Sequence, residues 1–188
     1  LFRSNVQTVL SSGLTTPTHL KLDPAGGKMY WVDEGTSAIK RANLDGSNVQ
    51  TLVGGLSAPK GLDLDLTAGK MYYVENGLGR IRVANLDGSG AATLVSGLSD
   101  PWSLSLDVAG VKMSWTDPAT NRISRANLDG TGLLSNFIPS QPGVRDVVVD
   151  PSRGKLYWTD QVNDRLRRAN LDGTGAATVI GLDGAFGL

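Results

Sequence analysis

Short runs of apolar residues, interrupted by turn signals, recur along the whole chain and predict β-strands. In the first unit the predicted strands are Thr18 to Leu22, Lys28 to Asp33, Ile39 to Asn43 and Asn48 to Val53. The second of these is rich in aromatic and β-branched side chains, which favour strands. The Asp45-Gly46 pair suits the positive φ angles of a tight hairpin turn. No window carries a helical stripe, so the pattern predicts an all-β fold.

This four-strand unit is repeated. Asn-Leu-Asp-Gly begins at residues 43, 85, 127 and 170, in steps of 42, 42 and 43 residues. The quartet Tyr30-Trp31-Val32-Asp33 recurs in the same steps at residues 72–75, 114–117 and 157–160. Four antiparallel strands in about 42 residues are typical of a β-propeller blade. One blade cannot bury both faces of its sheet, so we expect the blades to stack around an axis. The recurring large aromatics are expected between them: Trp31, Tyr73, Trp115 and Trp158.

The quartet, followed by an aliphatic residue and then by Arg-Ala-Asn-Leu-Asp-Gly, resembles the YWTD repeat of low-density lipoprotein receptor class B modules. The resemblance implies a β-propeller, usually of six blades, that binds other proteins on one face and is not known for catalysis. It also implies that the aromatic pair packs between sheets and that the motif Asp bonds to neighbouring backbone. The chain departs from the motif at Val32, Val74, Glu75 and Ser114.

The repeat divides the chain into predicted blades at residues 15–56, 57–98, 99–141 and 142–182. Residues 1–14 are interpreted as the last strand of a preceding blade, and residues 183–188 as the start of the next one. Six blades of this length would need about 250 residues. We therefore expect a propeller fragment within a longer chain, with assembly from a second copy and an unusual small ring as the alternatives.

Composition excludes several classes of function. Lys plus Arg and Asp plus Glu both total 18 in 188 residues, which disfavours a binder of nucleic acid or anionic membranes. Cysteine is absent and His19 is the only histidine, so disulfides, thiol chemistry and sites with two imidazoles are excluded. No apolar run is long enough for membrane insertion. No cofactor is expected, and the family resemblance favours an extracellular location.

Candidate binding residues are those that break the repeat at one end of the propeller. The loops from each fourth strand to the next first strand share that end with the loops between second and third strands. The position after the repeat proline (Val144 in the fourth repeat) holds Thr18, Lys60, Trp102, Arg145 and, in the last partial repeat, Phe186. Aromatic and Arg side chains dominate binding hot spots. We predict that these residues bind an acidic or amphipathic segment of a protein or peptide partner. The alternative is that Trp102 plugs the channel or packs on a neighbouring blade.

Four other interpretations are weighed against this one. His19, Ser103 and Asp146 contain the residue types of a catalytic triad, but equivalent positions on different blades are spread around a ring, so these residues need not be within hydrogen-bonding reach of one another. A lactonase-like or lyase-like enzyme would need a channel metal, for which His19 and Asp146 are the only obvious ligands. The Asp-Gly turns could attract a structural calcium, but each lies on its own blade. Incomplete terminal blades could also be completed between chains, giving a homo-oligomer.

Overall fold

The computed structural model describes residues 7–181, which form four separate antiparallel sheets of four strands each. The first sheet contains β1 (Pro17–Asp23), β2 (Lys28–Asp33), β3 (Ala38–Asn43) and β4 (Gln50–Val53). The second contains β5 (Pro59–Asp65), β6 (Lys70–Glu75), β7 (Arg80–Asn85) and β8 (Ala92–Val95). The third contains β9 (Leu104–Asp107), β10 (Lys112–Asp117), β11 (Arg122–Asn127) and β12 (Leu134–Ile138). The fourth contains β13 (Val144–Asp150), β14 (Lys155–Asp160), β15 (Arg165–Asn170) and β16 (Ala177–Gly181).

Each sheet is a blade whose strands are paired in sequence order, and the four blades follow one another around an axis. The first strands, β1, β5, β9 and β13, lie side by side and form the inner wall. Short 3-10 turns follow several strands, at Glu34–Thr36, Asn76–Leu78, Pro118–Thr120 and Pro151–Arg153. The predicted all-β propeller with four-stranded blades is confirmed. The expected total of six blades stays a prediction.

Two features fall at or beyond the ends of the described residues. The first strand begins at Pro17, and residues 7–16 contain no strand. The strand predicted near the start of the chain begins among residues 1–6, and Phe186 lies within 182–188; both stretches are outside the described residues. Among residues 7–181, no helix is long and apolar enough to cross a membrane.

The hairpins between third and fourth strands form because the Asn-Leu-Asp-Gly motif supplies its own hydrogen bonds. In the first blade the Asp45 carboxylate accepts the backbone N–H of Ser47 at 2.9 Å. Gly46 adopts a φ of +84°, which a residue with a Cβ seldom tolerates. The same contact recurs between Asp87 and Ser89, Asp129 and Thr131, and Asp172 and Thr174.

Apolar side chains fill the space between neighbouring blades. Trp115 of the third blade is fully buried against Val74 and Ile81 of the second. Tyr73 packs in the same way on the first blade, and Trp158 on the third. These three aromatics therefore lie between blades as the sequence predicts, whereas Trp31 packs beside the segment that carries Leu10 and Leu14.

In the first three blades the motif acid ties the blade to the loop that precedes it. The Asp33 carboxylate accepts the backbone N–H groups of Thr15 and Thr16 at 3.3 and 3.1 Å. Glu75 replaces the Asp in the second blade and still accepts the N–H of Ser57 at 2.9 Å. The longer side chain thus preserves the contact that the family resemblance implies.

Gly61 provides the first test of the packing at the inner wall. A Cβ at this position would lie 2.6 Å from the backbone nitrogen of Leu104 in the next blade, so we expect Gly61→Ala to lower the free energy of unfolding by about 1–3 kcal/mol. Urea unfolding measures the change. Gly54→Ala is the control, since a Cβ there meets only the Thr51 side chain at 3.8 Å. Equal stability of the two variants would contradict the close approach of β5 and β9.

Candidate functional site at the mouth of the propeller

One end of the propeller gathers the loops that were predicted to carry function, and we call it the mouth. There the backbone N–H of Glu34, after β2, donates to the carbonyl of Thr16, before β1, at 2.9 Å. In the second blade Asn76 makes the equivalent bond to Ala58 at 3.1 Å. Both kinds of loop therefore meet at this end because the chain hydrogen-bonds them to each other.

Four of the five predicted site residues are described, and the structure links them in a chain of contacts across the mouth. Thr18, Lys60 and Arg145 lie on the first strands of their blades, and Trp102 lies two residues before β9. All four are half-buried. Phe186 lies outside the described residues, so its predicted place in this group remains a prediction.

Trp102 lies at the centre of this chain. The Lys60 ammonium nitrogen lies 4.2 Å from the centroid of the indole ring, and the Arg145 guanidinium carbon lies 4.2 Å from it. One cation comes from the preceding blade and the other from the following blade, and each distance is within the range of a cation–π interaction. The indole thus packs on neighbouring blades, as the alternative interpretation held, and it also holds the two predicted cations at the mouth.

Glu34 and Gln161 complete the cluster, and sequence reasoning did not single them out. The Glu34 carboxylate accepts the Thr18 hydroxyl at 3.1 Å and forms an ion pair with Lys60. The Gln161 side-chain oxygen accepts the Nε–H of Arg145 at 3.1 Å. Both residues directly follow the motif acid of their repeats. That shared position was the available signal, because it places them beside the first strand.

The charges at the mouth are unequally balanced. Lys60 and Glu34 neutralise each other in a partly buried ion pair, with side-chain exposures of 14% and 23%. Among residues 7–181, by contrast, no carboxylate forms an ion pair with Arg145. The unneutralised positive charge of the central cluster is therefore the guanidinium.

The motif threonine holds the strands beneath the mouth. In the third blade the Thr116 hydroxyl accepts the N–H of Ser103 at 3.1 Å and donates to the carbonyl of Arg145 at 2.7 Å. In the second blade Val74 has no hydroxyl, and the N–H of Gly61 donates directly to the carbonyl of Trp102 at 2.8 Å. The missing Cβ of Gly61 permits this approach, so the two departures from the repeat compensate for each other.

Below the mouth, a cavity of about 440 Å³ is lined by side chains of the first strands, including His19, Ser103 and Asp146. Two of these three side chains are within hydrogen-bonding reach, because the Ser103 hydroxyl donates to the Asp146 carboxylate. β9 and β13 adjoin at the inner wall without forming a backbone ladder, and side chains bridge them. The N–H of Val147 also donates to the Ser103 oxygen at 3.3 Å. Ser103 is bound directly to the carboxylate, whereas in a catalytic triad the imidazole stands between the two.

His19 is the other polar group of this cavity. Its backbone has a φ of +49°, and its Nδ1 atom is buried without a hydrogen-bond partner among residues 7–181. Burial lowers the pKa of His19; the carboxylates of Asp146 and Glu34 act in the opposite direction, and the ammonium groups of Lys60 and Lys21 reinforce the lowering. The imidazole is therefore neutral near pH 7.

The acidic and imidazole groups do not converge on a metal site. Within the described part of the chain, no group of three or more His, Asp or Glu side chains is placed to hold a metal ion.

Comparison with known proteins shows similarities in the repeat and in the fold. Residues 27–66 match the model of the low-density lipoprotein receptor repeat class B. Nidogen-2 of Mus musculus is 44% identical over 46 residues, which are 24% of this chain and 3% of nidogen-2. The chain therefore spans a very small part of that relative.

Solved structures share the whole architecture at low identity. The crystal structure of a nidogen/laminin complex contains a chain with a TM-score of 0.85 and 22% identity, covering 96% of this chain and 70% of that one. A protein of Agrobacterium tumefaciens assigned as TolB has a TM-score of 0.78 and 19% identity, and the match covers 94% of this chain and 69% of that one. Streptogramin B lyase has a TM-score of 0.72 and 18% identity, and the match covers 90% of this chain and 56% of that one.

The fold and the matched repeat together define a β-propeller with YWTD-type repeats. The resemblance drawn from the quartet and the Asn-Leu-Asp-Gly motif is confirmed by the match over residues 27–66.

The lowered pKa of His19 predicts a pH dependence of stability. A base whose pKa is lower in the folded state binds protons preferentially when unfolded, so stability falls as the pH drops below about 6.5. We expect His19→Asn, which tolerates a positive φ, to weaken this dependence. Urea unfolding of both proteins between about pH 7.5 and 5 measures it. Parallel curves for the two proteins would show that His19 does not contribute.

The bridging role of Thr116 predicts a difference between two conservative substitutions. Thr116→Val leaves the Ser103 N–H and the Arg145 carbonyl without their shared partner, which should cost about 1–3 kcal/mol of stability. Thr116→Ser keeps the hydroxyl and should retain most of the stability. Thermal unfolding compares the two, and a loss in Thr116→Ser as large as that in Thr116→Val would contradict the dominant role of the hydroxyl.

Proposed function

We propose that the chain is a non-catalytic protein-binding module whose partner docks on the mouth. The main observation in favour of this proposal is a cluster from three blades in which Trp102 lies between Lys60 and Arg145. A half-buried aromatic ring with flanking cations has the composition of a binding hot spot. The blade itself does not require these side chains, because the equivalent positions in the repeats differ from one another.

The relatives support a protein partner outside the cell. The structure with a TM-score of 0.85 is a complex of nidogen with laminin, and the matched repeat is that of the low-density lipoprotein receptor. We therefore propose an extracellular or secreted location and choose laminin as the first partner to test. The lyase among the structural neighbours shares the fold at 18% identity, which does not carry its chemistry to this chain.

Binding to immobilised laminin tests the proposal. We expect the unmodified chain to bind and the double variant Trp102→Ala, Arg145→Ala to bind about tenfold more weakly or worse, since both changes remove hot-spot groups. Arg153→Ala is the control, because Arg153 lies at the other end of the fourth blade with a side-chain exposure of 75%. Circular dichroism confirms that each variant is folded.

Two results would count against the proposal. Failure of the unmodified chain to bind would remove laminin as the partner. Full binding by the double variant would show that the partner docks elsewhere on the propeller.

We propose assembly between chains as a second function because one blade face is open. Leu20 and Leu22 of β1 are 59% and 51% exposed, whereas Leu62, the counterpart of Leu20 in β5, is 1% exposed beneath the first blade. An apolar sheet face of this kind is covered by another blade elsewhere in the molecule. Sedimentation at low and high concentration measures the mass in solution, and a strict monomer at both would contradict assembly.

A further inference from the structure

Arg145 differs from the other cation at the mouth in what holds it. Lys60 is neutralised by Glu34, which also accepts the hydroxyl of Thr18. The partners of Arg145 are neutral: the ring of Trp102 and the side-chain oxygen of Gln161. The central cluster therefore presents one full positive charge beside a neutral ion pair.

The Arg145 side chain is also fixed in position. Its Nε–H is bound to Gln161 at 3.1 Å and its guanidinium carbon lies 4.2 Å from the centre of the indole. The carbonyl of the same residue accepts the Thr116 hydroxyl, so the backbone is anchored as well. A guanidinium held through Nε keeps the N–H groups of its two terminal nitrogens, and these match the two oxygens of a carboxylate.

We propose that Arg145, positioned by Trp102 and Gln161, is the subsite that receives a carboxylate side chain, Asp or Glu, of the protein partner. The inference rests on the proposed function, in which the mouth is the docking face. It names the chemistry that the partner must bring to one position of that face. Prior anchoring of the guanidinium lowers the entropy lost on binding.

A single carboxylate fits this cluster better than a sulfated or phosphorylated polymer. Binding of a polyanion depends on several unneutralised cations acting together. The cluster offers one, since Lys60 is already paired, and Arg122 and Arg165 begin third strands, which lie two strands out from the inner wall. A sulfated polymer is therefore included in the experiment as the competing ligand.

The ion pair of Glu34 with Lys60 supplies a test that should increase binding. Glu34→Gln removes the negative charge but leaves a side-chain oxygen that can accept from Lys60, whose ammonium nitrogen lies 4.2 Å from the indole centre in the unmodified chain. A second positive charge is then available at the mouth, and affinity for an acidic segment should rise. A purely structural role of the cluster would give a loss or no change.

The experiment titrates the whole chain with short synthetic peptides and follows the arginine Nε–Hε signals by nuclear magnetic resonance. The probe alternates Gly and Glu and has both ends blocked. A second peptide replaces Glu with Gln, and a third has Gln side chains and a free C-terminal carboxylate. Heparin and inorganic sulfate are the anion competitors. Arg145→Gln tests the subsite, and Arg153→Gln is the matched control at the opposite end of the blade.

We expect the Glu peptide to bind, the blocked Gln peptide not to bind, and Arg145→Gln to weaken binding about tenfold. Glu34→Gln should strengthen binding and Arg153→Gln should leave it unchanged. Equal binding of both blocked peptides, or no effect of Arg145→Gln, would overturn the proposal. If only the third peptide binds, the ligand of Arg145 is a C-terminal carboxylate and not a side chain. If heparin binds more strongly than the Glu peptide and does so through Arg145, the ligand is a sulfated polymer.

The laminin assay separates this inference from the proposed function. If laminin binding is lost in Trp102→Ala but retained in Arg145→Gln, the mouth is the docking face and the carboxylate subsite is wrong. If the Glu peptide binds through Arg145 while laminin does not bind, the subsite stands and the choice of laminin is wrong.

Discussion

The stability of this molecule depends on apolar packing between successive sheets. Each internal interface inserts an aromatic ring of one blade against aliphatic residues of the blade before it, as Trp115 does against Val74 and Ile81. Burial of a side chain of this size contributes about 1.5–3 kcal/mol relative to exposure. Because no blade buries both faces alone, the interfaces fix the angle between blades and thereby the position of every loop at the mouth.

Polar side chains then determine how the inner strands meet. β5, β9 and β13 adjoin without a shared backbone ladder, so their N–H groups need other acceptors. Asp63 accepts the N–H of Leu106 in the next blade at 2.9 Å, and Ser105 accepts that of Val149 at 3.1 Å. Bonds of this kind position the wall from which Trp102 and Arg145 reach the mouth, which connects the repeat architecture to the arrangement of the candidate site.

The fold could be predicted from the sequence because the same pattern of strands and turns occurs in each of the four repeats. The spacing of Asn-Leu-Asp-Gly and of the quartet predicted the strands, and β2 spans Lys28–Asp33 as expected. It also placed Lys60, Trp102 and Arg145 at equivalent positions. It could not show that Trp102 lies between the two cations, since a side-chain direction at the end of a strand depends on neighbouring blades. The link between Ser103 and Asp146 was missed for the same reason, because it depends on the distance between two inner strands.

Differences between the repeats carry the information about function, and the structure shows that they must be interpreted in pairs. Val74 with Gly61, and Thr116 with Ser103, are two solutions to one problem of hydrogen bonding, so the departure at Val74 needs no functional explanation. Glu34 with Lys60 is a different kind of pair, since its effect is to remove a charge from the mouth. Arg145 has no such counterpart among the described residues and is paired with neutral Gln161 instead. An arginine that is held in place by neutral partners at a loop cluster keeps its charge available, so a carboxylate bound at that position would form charge-assisted hydrogen bonds with it.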